Sequence, residues 1–208
     1  HINRKKVSPF PVAIGGDHSI SIGVLQAIAE IYKGNLPTIL QIDAHFDLRD
    51  SDADFRNQPI GRYAHCSVMR RAAEMGFSII TVGVRSFSAE ELIFAENNRI
   101  KFFSLLANIT PDITKIIEAI DDHGVYLSLD VDGIDPAHMP ATGTPVQGGL
   151  SWQYTLKLLT KLFRSKNVIG MDIVEVAPSL ETTNLTSYGA AQLIYTAIAL
   201  KFTNRHGG

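Results

Sequence analysis

Short apolar runs alternate with longer stretches in which apolar side chains recur every three or four positions, along nearly the whole chain. The runs Pro11 to Ile14, Thr38 to Ile42, Ile79 to Val84, Ile100 to Phe103, Val125 to Leu129 and Val168 to Val176 predict strands, six at least. Between them the periodicity predicts helices at about Ser19 to Tyr32, Cys66 to Glu74, Ala89 to Asn97, Pro111 to Asp121, Trp152 to Phe163 and Leu185 to Phe202. Strands that alternate with helices belong in a mostly parallel sheet covered on both faces, an α/β fold. In such a sheet ligands gather beyond the carboxyl ends of the strands, where the loops from Gly15, Asp43, Asp130 and Glu175 all leave. The connections Leu48 to Ala64 and Val131 to Leu150 exceed about 12 residues, a length common in functional loops.

Those strand ends are where the polar chemistry concentrates. Asp43-Ala44-His45-Phe46-Asp47 follows one apolar run, Asp130-Val131-Asp132 another, and Gly15-Gly16-Asp17-His18-Ser19 a third. Because side chains alternate along an extended strand, Asp43, His45 and Asp47 are expected on one side, as are Asp130 and Asp132. His18, Asp43, His45, Asp47, Asp130 and Asp132 then form a metal site, binuclear because four carboxylates balance the charge of two divalent cations. Without metal, acids crowded in one pocket raise one another's pKa and take up protons. An oxygen-rich set with two imidazoles suits manganese better than structural zinc, although ligand type alone leaves zinc, iron and cobalt open. Asp17 and Asp135 are read as turn or cap residues, and His1, His123, His138 and His206 as surface residues.

With 208 residues, 45% of them hydrophobic, the chain is long enough for one domain with a sizeable core. Nineteen basic residues face 21 acidic ones and no basic cluster exceeds Arg4-Lys5-Lys6, which excludes a nucleic-acid binder and favours a small or cationic substrate. Cys66 is the single cysteine, so no internal disulfide exists, in keeping with a reducing compartment; it reads as a small buried residue. No apolar run approaches the roughly 20 residues that span a bilayer, and His1 to Pro9 lacks the apolar core of a signal peptide. A cytoplasmic protein without a membrane partner is expected.

Gly15-Gly16-Asp17-His18-Ser19, Asp43-Ala44-His45-Phe46-Asp47 and Ser128-Leu129-Asp130-Val131-Asp132-Gly133-Ile134-Asp135-Pro136, in that chain order, resemble the signatures of the ureohydrolases, the family of arginase, agmatinase and formiminoglutamase. The likeness continues through Ala141-Thr142-Gly143-Thr144-Pro145 and Gly170 to Pro178, covering nearly all of the chain from Pro11. It implies a three-layer α/β/α fold, two Mn2+ ions and cleavage of a guanidino group to urea and an amine. It also implies that His18, Asp47 and Asp130 surround one metal, that Asp43, His45 and Asp132 complete the second, and that Asp43 and Asp130 bridge. His65 takes the place of the family's proton-shuttling histidine and Glu175 that of its guanidinium-binding glutamate. A water between two cations can lose its proton near neutral pH and attack the guanidinium carbon. Glu175 can receive the guanidinium through paired hydrogen bonds, Asp47 can hold the nucleophile's proton, and His65 can protonate the departing amine. The bland alternatives are a Glu175 paired with an arginine such as Arg85 and a His65 packed beside Tyr63.

Arg62 to Ala72, with its paired arginines, and Asp47-Leu48-Arg49-Asp50 resemble the agmatinase branch, which makes agmatine, cleaved to urea and putrescine, the first choice of substrate. Val146-Gln147 and the long segment Ser51 to Arg56 depart from that pattern and keep arginase, guanidinobutyrase or another guanidino-compound hydrolase open. Asp50, Asp52 and Asp54 read as an acidic solvated loop rather than a seat for a substrate ammonium. Relatives carry an N-terminal segment that this chain is expected to lack, leaving an apolar strand edge exposed. The resemblance also implies a trimer or hexamer. A non-catalytic binding protein on the same fold and a binuclear phosphoesterase are the rivals; the second needs cationic groups where Glu175 stands.

Overall fold

The computed structural model describes residues 9–53, 61–106, 109–121 and 123–203. The strands are β1 (Val12–Ile14), β2 (Thr38–Ile42), β3 (Ile79–Val82), β4 (Lys101–Phe103), β5 (Val125–Asp130) and β6 (Val168–Val174), and the helices α1 (Ile20–Ile31), α2 (Val68–Glu74), α3 (Ala89–Asn97), α4 (Ile113–Glu118), α5 (Trp152–Ser165) and α6 (Leu185–Thr203). All six strands pair in parallel, in the order β1-β6-β5-β2-β3-β4.

Two apolar clusters flank the sheet. Ile39 and Tyr126 face one that contains Leu25 of α1, Met69 of α2 and Ala95 of α3. Leu40, Leu127 and Ile173 face the other, which contains Ile116 of α4, Leu158 of α5 and Leu193 of α6. The result is the expected three-layer α/β/α arrangement, with neighbouring residues of one strand serving opposite cores.

The strand order positions the site. From β2 the chain moves outward through β3 to β4, then returns to lay β5 on the other side of β2. β2 and β5 are therefore neighbours at the point where the order reverses, and a crevice opens at their carboxyl ends. Two strands end earlier than their apolar runs. Gly83 takes φ 102° directly after β3, and Glu175 takes φ 62° directly after β6, so neither continues as extended chain. Among the described residues the outer edge of β1 pairs with no strand, and Ile14 beside it is 70% exposed. No helix of the described residues is long and apolar enough to cross a membrane.

Candidate metal centre

The six predicted ligands converge at that crevice, by a route other than strand alternation. β2 stops at Ile42, and Asp43 to Asp47 form a turn in which Asp43 Oδ1 accepts from His45 N at 2.6 Å and Asp47 takes φ 54°. A left-handed conformation at a non-glycine residue is costly and persists where the surroundings impose it. Past β5, a short 3-10 turn (Val131–Gly133) begins with Asp130 Oδ1 accepting from Asp132 N at 2.8 Å. Local carboxylate-to-backbone turns, not an extended backbone, aim the acids inward.

Two groups result, sharing Asp43. His18 Nδ1 lies 2.8 Å from Asp47 Oδ2, 3.4 Å from Asp130 Oδ2 and 3.6 Å from Asp43 Oδ2. His45 Nδ1 lies 3.1 Å from Asp132 Oδ2 and 3.4 Å from Asp43 Oδ1. Each group offers three ligand atoms close enough to hold one ion: His18, Asp43 and Asp47, and Asp43, His45 and Asp132.

The remaining atoms of these side chains are held from behind. Ser128 Oγ donates to Asp172 Oδ1 at 2.9 Å, so its oxygen accepts from His18 Nε2, also at 2.9 Å. The proton of the neutral ring is thereby placed on Nε2, and the Nδ1 lone pair faces carboxylates. Tyr126 Oη and Leu129 N also donate to the fully buried Asp172. Gln41 Nε2 donates to Asp43 Oδ2 at 2.7 Å, and Gln41 Oε1 accepts from Thr81 Oγ1 at 2.8 Å. Asp172, Ser128, Gln41 and Thr81 are register partners on β6, β5, β2 and β3, one polar row crossing the sheet beneath the ligands.

The electrostatics call for cations. Burial, and then their acidic neighbours, push Asp43 and Asp130 well above the usual carboxylate range. Burial opposes charge on His45, but Asp132 and Asp43 outweigh it and raise the ring to about 11; His18 is raised likewise by Asp130 and Asp47. Asp132 is buried too, yet the His45 ring holds it at about 2. Protons thus stand in for missing positive charge, as the sequence led us to expect. The buried Nδ1 of His18 is turned onto carboxylate oxygens of Asp47, Asp130 and Asp43 at 2.8 to 3.6 Å. An imidazole nitrogen aimed at acids, a surplus of buried carboxylates and an oxygen-rich donor set fit two divalent cations.

A cavity of about 310 Å3 opens over the groups, with His65, Glu175, Thr144, Arg49, Phe87 and Glu91 in its wall. Glu175 is half-buried. Its Oε1 accepts from His18 N at 2.6 Å, and burial raises its pKa. Arg85 is not its partner: among the described residues that guanidinium donates to backbone carbonyls, those of Asp132 and Val146 included. His65 starts a 3-10 turn (His65–Ser67) ahead of α2, with a side chain 44% exposed and Nδ1 3.8 Å from Asp17 Oδ2. Asp17 Oδ1 accepts from Ser19 N, so Asp17 does order its turn.

The family model of the arginase family matches residues 3–200. The chain belongs to the arginase family. It is 36% identical over 189 residues to the N(1)-aminopropylagmatine ureohydrolase of Synechocystis sp., covering 89% of this chain and 59% of that protein. It is 31% identical over 188 residues to the agmatinase of Bacillus subtilis, covering 89% of this chain and 61% of that one. The agmatine ureohydrolase of Thermoplasma volcanium superposes with a TM-score of 0.79 at 33% identity, covering 95% of this chain and 64% of that chain. This arginase-family chain spans about three fifths of the length of the curated relatives it matches.

Several supporting residues of this arginase-family site escaped the sequence reading. Gln41, Ser128 and Asp172 stand inside otherwise apolar runs, and polar residues at buried strand positions were the available signal. Arg85 carried none. The acidic loop is solvated at Asp50, which is exposed while it pairs with Arg71 at 2.7 Å, but not at Asp52, which is buried with Oδ1 accepting from Gly61 N. Asp54 lies outside the described residues, as do His1 and His206; His123 is exposed and His138 half-buried. Asp135 orders its turn as expected, accepting from Ala137, Gly148 and Gly149 N. Cys66 is buried.

Proposed function

We propose that this site, holding two Mn2+ ions, hydrolyses the guanidinium of agmatine or of its N(1)-aminopropyl derivative, releasing urea and an amine. The carrying observation is that two ligand groups share Asp43 beneath a cavity whose wall presents Glu175. His18, Asp43, Asp47 and Asp130 hold one cation in this reading, and Asp43, His45 and Asp132 the other. When bound, such a pair would lower the pKa of water at the site and supply a nucleophile near neutral pH.

The chain's own residues supply the rest. The His18 amide anchors Glu175 Oε1, which leaves Oε2 for a guanidinium that stays protonated at any working pH. The left-handed backbone of Glu175 fixes the direction of that carboxylate, which orients the guanidinium carbon toward the ligand groups. Asp47 accepts the attacking group's proton, and His65, at the half-open rim, protonates the departing amine nitrogen. Agmatine and its derivative are favoured by the agmatinase-like segment Arg62 to Ala72 and by the names of the relatives.

Urea release from agmatine, N(1)-aminopropylagmatine, arginine and guanidinobutyrate, with manganese, cobalt or zinc added in turn, tests the proposal. We expect turnover of the first two with manganese. No urea from any of the four with both cations bound would leave the chain a binding protein.

A further inference from the structure

Arg85 touches every ligand-bearing segment of the group built on His45. Its backbone N–H donates to Ala44 O at 2.8 Å, between Asp43 and His45, while Ala44 N donates to Asp132 Oδ1 at 3.0 Å. Nη2 donates to Asp132 O at 2.7 Å and to Val146 O at 2.6 Å, Nη1 to Gly83 O at 3.0 Å and Gly133 O at 3.4 Å, and Nε to Gln147 O at 3.1 Å. One planar fork thus spreads over five carbonyls from the end of β3, the Asp132 turn and the Val131–Leu150 loop. That loop carries Thr144, whose Oγ1 donates to Asp132 Oδ2 at 3.2 Å. Packing leaves no slack at this point: a Cβ on Gly133 would lie 2.6 Å from Asp43 N. The group built on His18 is supported elsewhere, by Ser128 and Asp172, and Arg85 makes no bond to His18 or Asp47.

We propose that Arg85 is a positioning residue chiefly for one cation seat, that of His45 and Asp132 with the shared Asp43, holding the Asp132 turn and the Thr144 loop at the distance that seat requires. The inference rests on the two-cation reading of the site. A lysine keeps the charge but has one nitrogen, which cannot serve carbonyls spread across a fork, so R85K removes the geometry and spares the electrostatics.

The test is calorimetric Mn2+ titration of the whole protein, with R85K introduced into the parent and into His45→Ala and His18→Ala backgrounds, a double-mutant cycle. We expect R85K to weaken one of the two binding events by about tenfold to a hundredfold, the range for residues that support metal ligands. It should have the smaller effect in the His45→Ala background and weaken the remaining binding by that same factor in the His18→Ala background. Thr144→Val, which deletes a single bond to Asp132, is the milder probe and should weaken the same seat less. Unchanged titrations, equal losses in both backgrounds, a Thr144→Val effect on the His18 seat, or loss of the cooperative thermal transition in R85K would each overturn the proposal. Because the readout is cation binding, a protein that binds both ions yet releases no urea would sink the proposed activity and leave the Arg85 inference standing.

Discussion

Two carboxylates of the site, those of Asp47 and Glu175, sit on left-handed backbone, a conformation that non-glycine residues seldom adopt without being held there. For Glu175 the holding bonds are visible: its own N–H donates to Gly16 O at 2.7 Å and its Oε1 accepts from His18 N. Glu175→Gln keeps an oxygen for the His18 amide and removes the charge that, in the proposed activity, meets a guanidinium. Urea release should fall about tenfold to a hundredfold, the value of one charge-assisted hydrogen bond, while metal content stays at the parent level. Metal lost together with activity would place Glu175 in the coordination shell instead. Residue identity announced these acids, and their motifs carried the family likeness. The backbone strain that aims them was invisible, because no side-chain pattern encodes a φ of 54° or 62° at aspartate or glutamate.

At the scale of elements, periodicity located all six strands and six helices, with ends shifted where a glycine or a strained residue stops the run. What periodicity could not reveal is the polar row from Asp172 through Ser128 and Gln41 to Thr81, since register between β6, β5, β2 and β3 is a property of pairing. Asp172→Asn leaves one oxygen for the donors Ser128, Tyr126 and Leu129 and loosens the ring orientation of His18. Cation affinity should drop about tenfold or more, and unaltered affinity in a titration would show the row to be inert. The Val131–Leu150 loop is closed by Asp135. Burial opposes its charge, but the amides of Ala137, Gly149 and Gly148 prevail and lower its pKa from the ordinary aspartate value. A carboxylate depressed in the folded state stabilises above its unfolded pKa, and that contribution vanishes as pH falls through the lowered value. Asp135→Asn should therefore cost about 1 kcal/mol at neutral pH, one net hydrogen bond. In thermal melts across pH, the deficit should shrink in acid below the ordinary aspartate range.

For the whole molecule, the crowded acids make cation binding and folding one equilibrium. Ions that bind only the folded chain stabilise it by about 2.7 kcal/mol at a hundredfold excess over Kd, so a chelator should lower Tm. Burial raises Asp43 and Asp130 and the neighbouring acids raise His18 and His45, so this cluster holds protons more tightly than free side chains do, and cation binding releases protons from it. Raising the pH from 6 to 8 should accordingly enlarge the rise in Tm caused by added manganese, and an equal rise at both values would contradict the charge argument. By itself the sequence determined the alternation of strands and helices and the identity of the metal-capable side chains, because periodicity and residue chemistry are local. Only the tertiary structure decided that β2 lies against β5, that Ser128 and Asp172 stand behind His18, and that Arg85 braces Asp132 rather than meeting Glu175. Those are relations between distant segments brought together by the crossing order of the sheet, and spacing along a chain carries no record of which strands become neighbours.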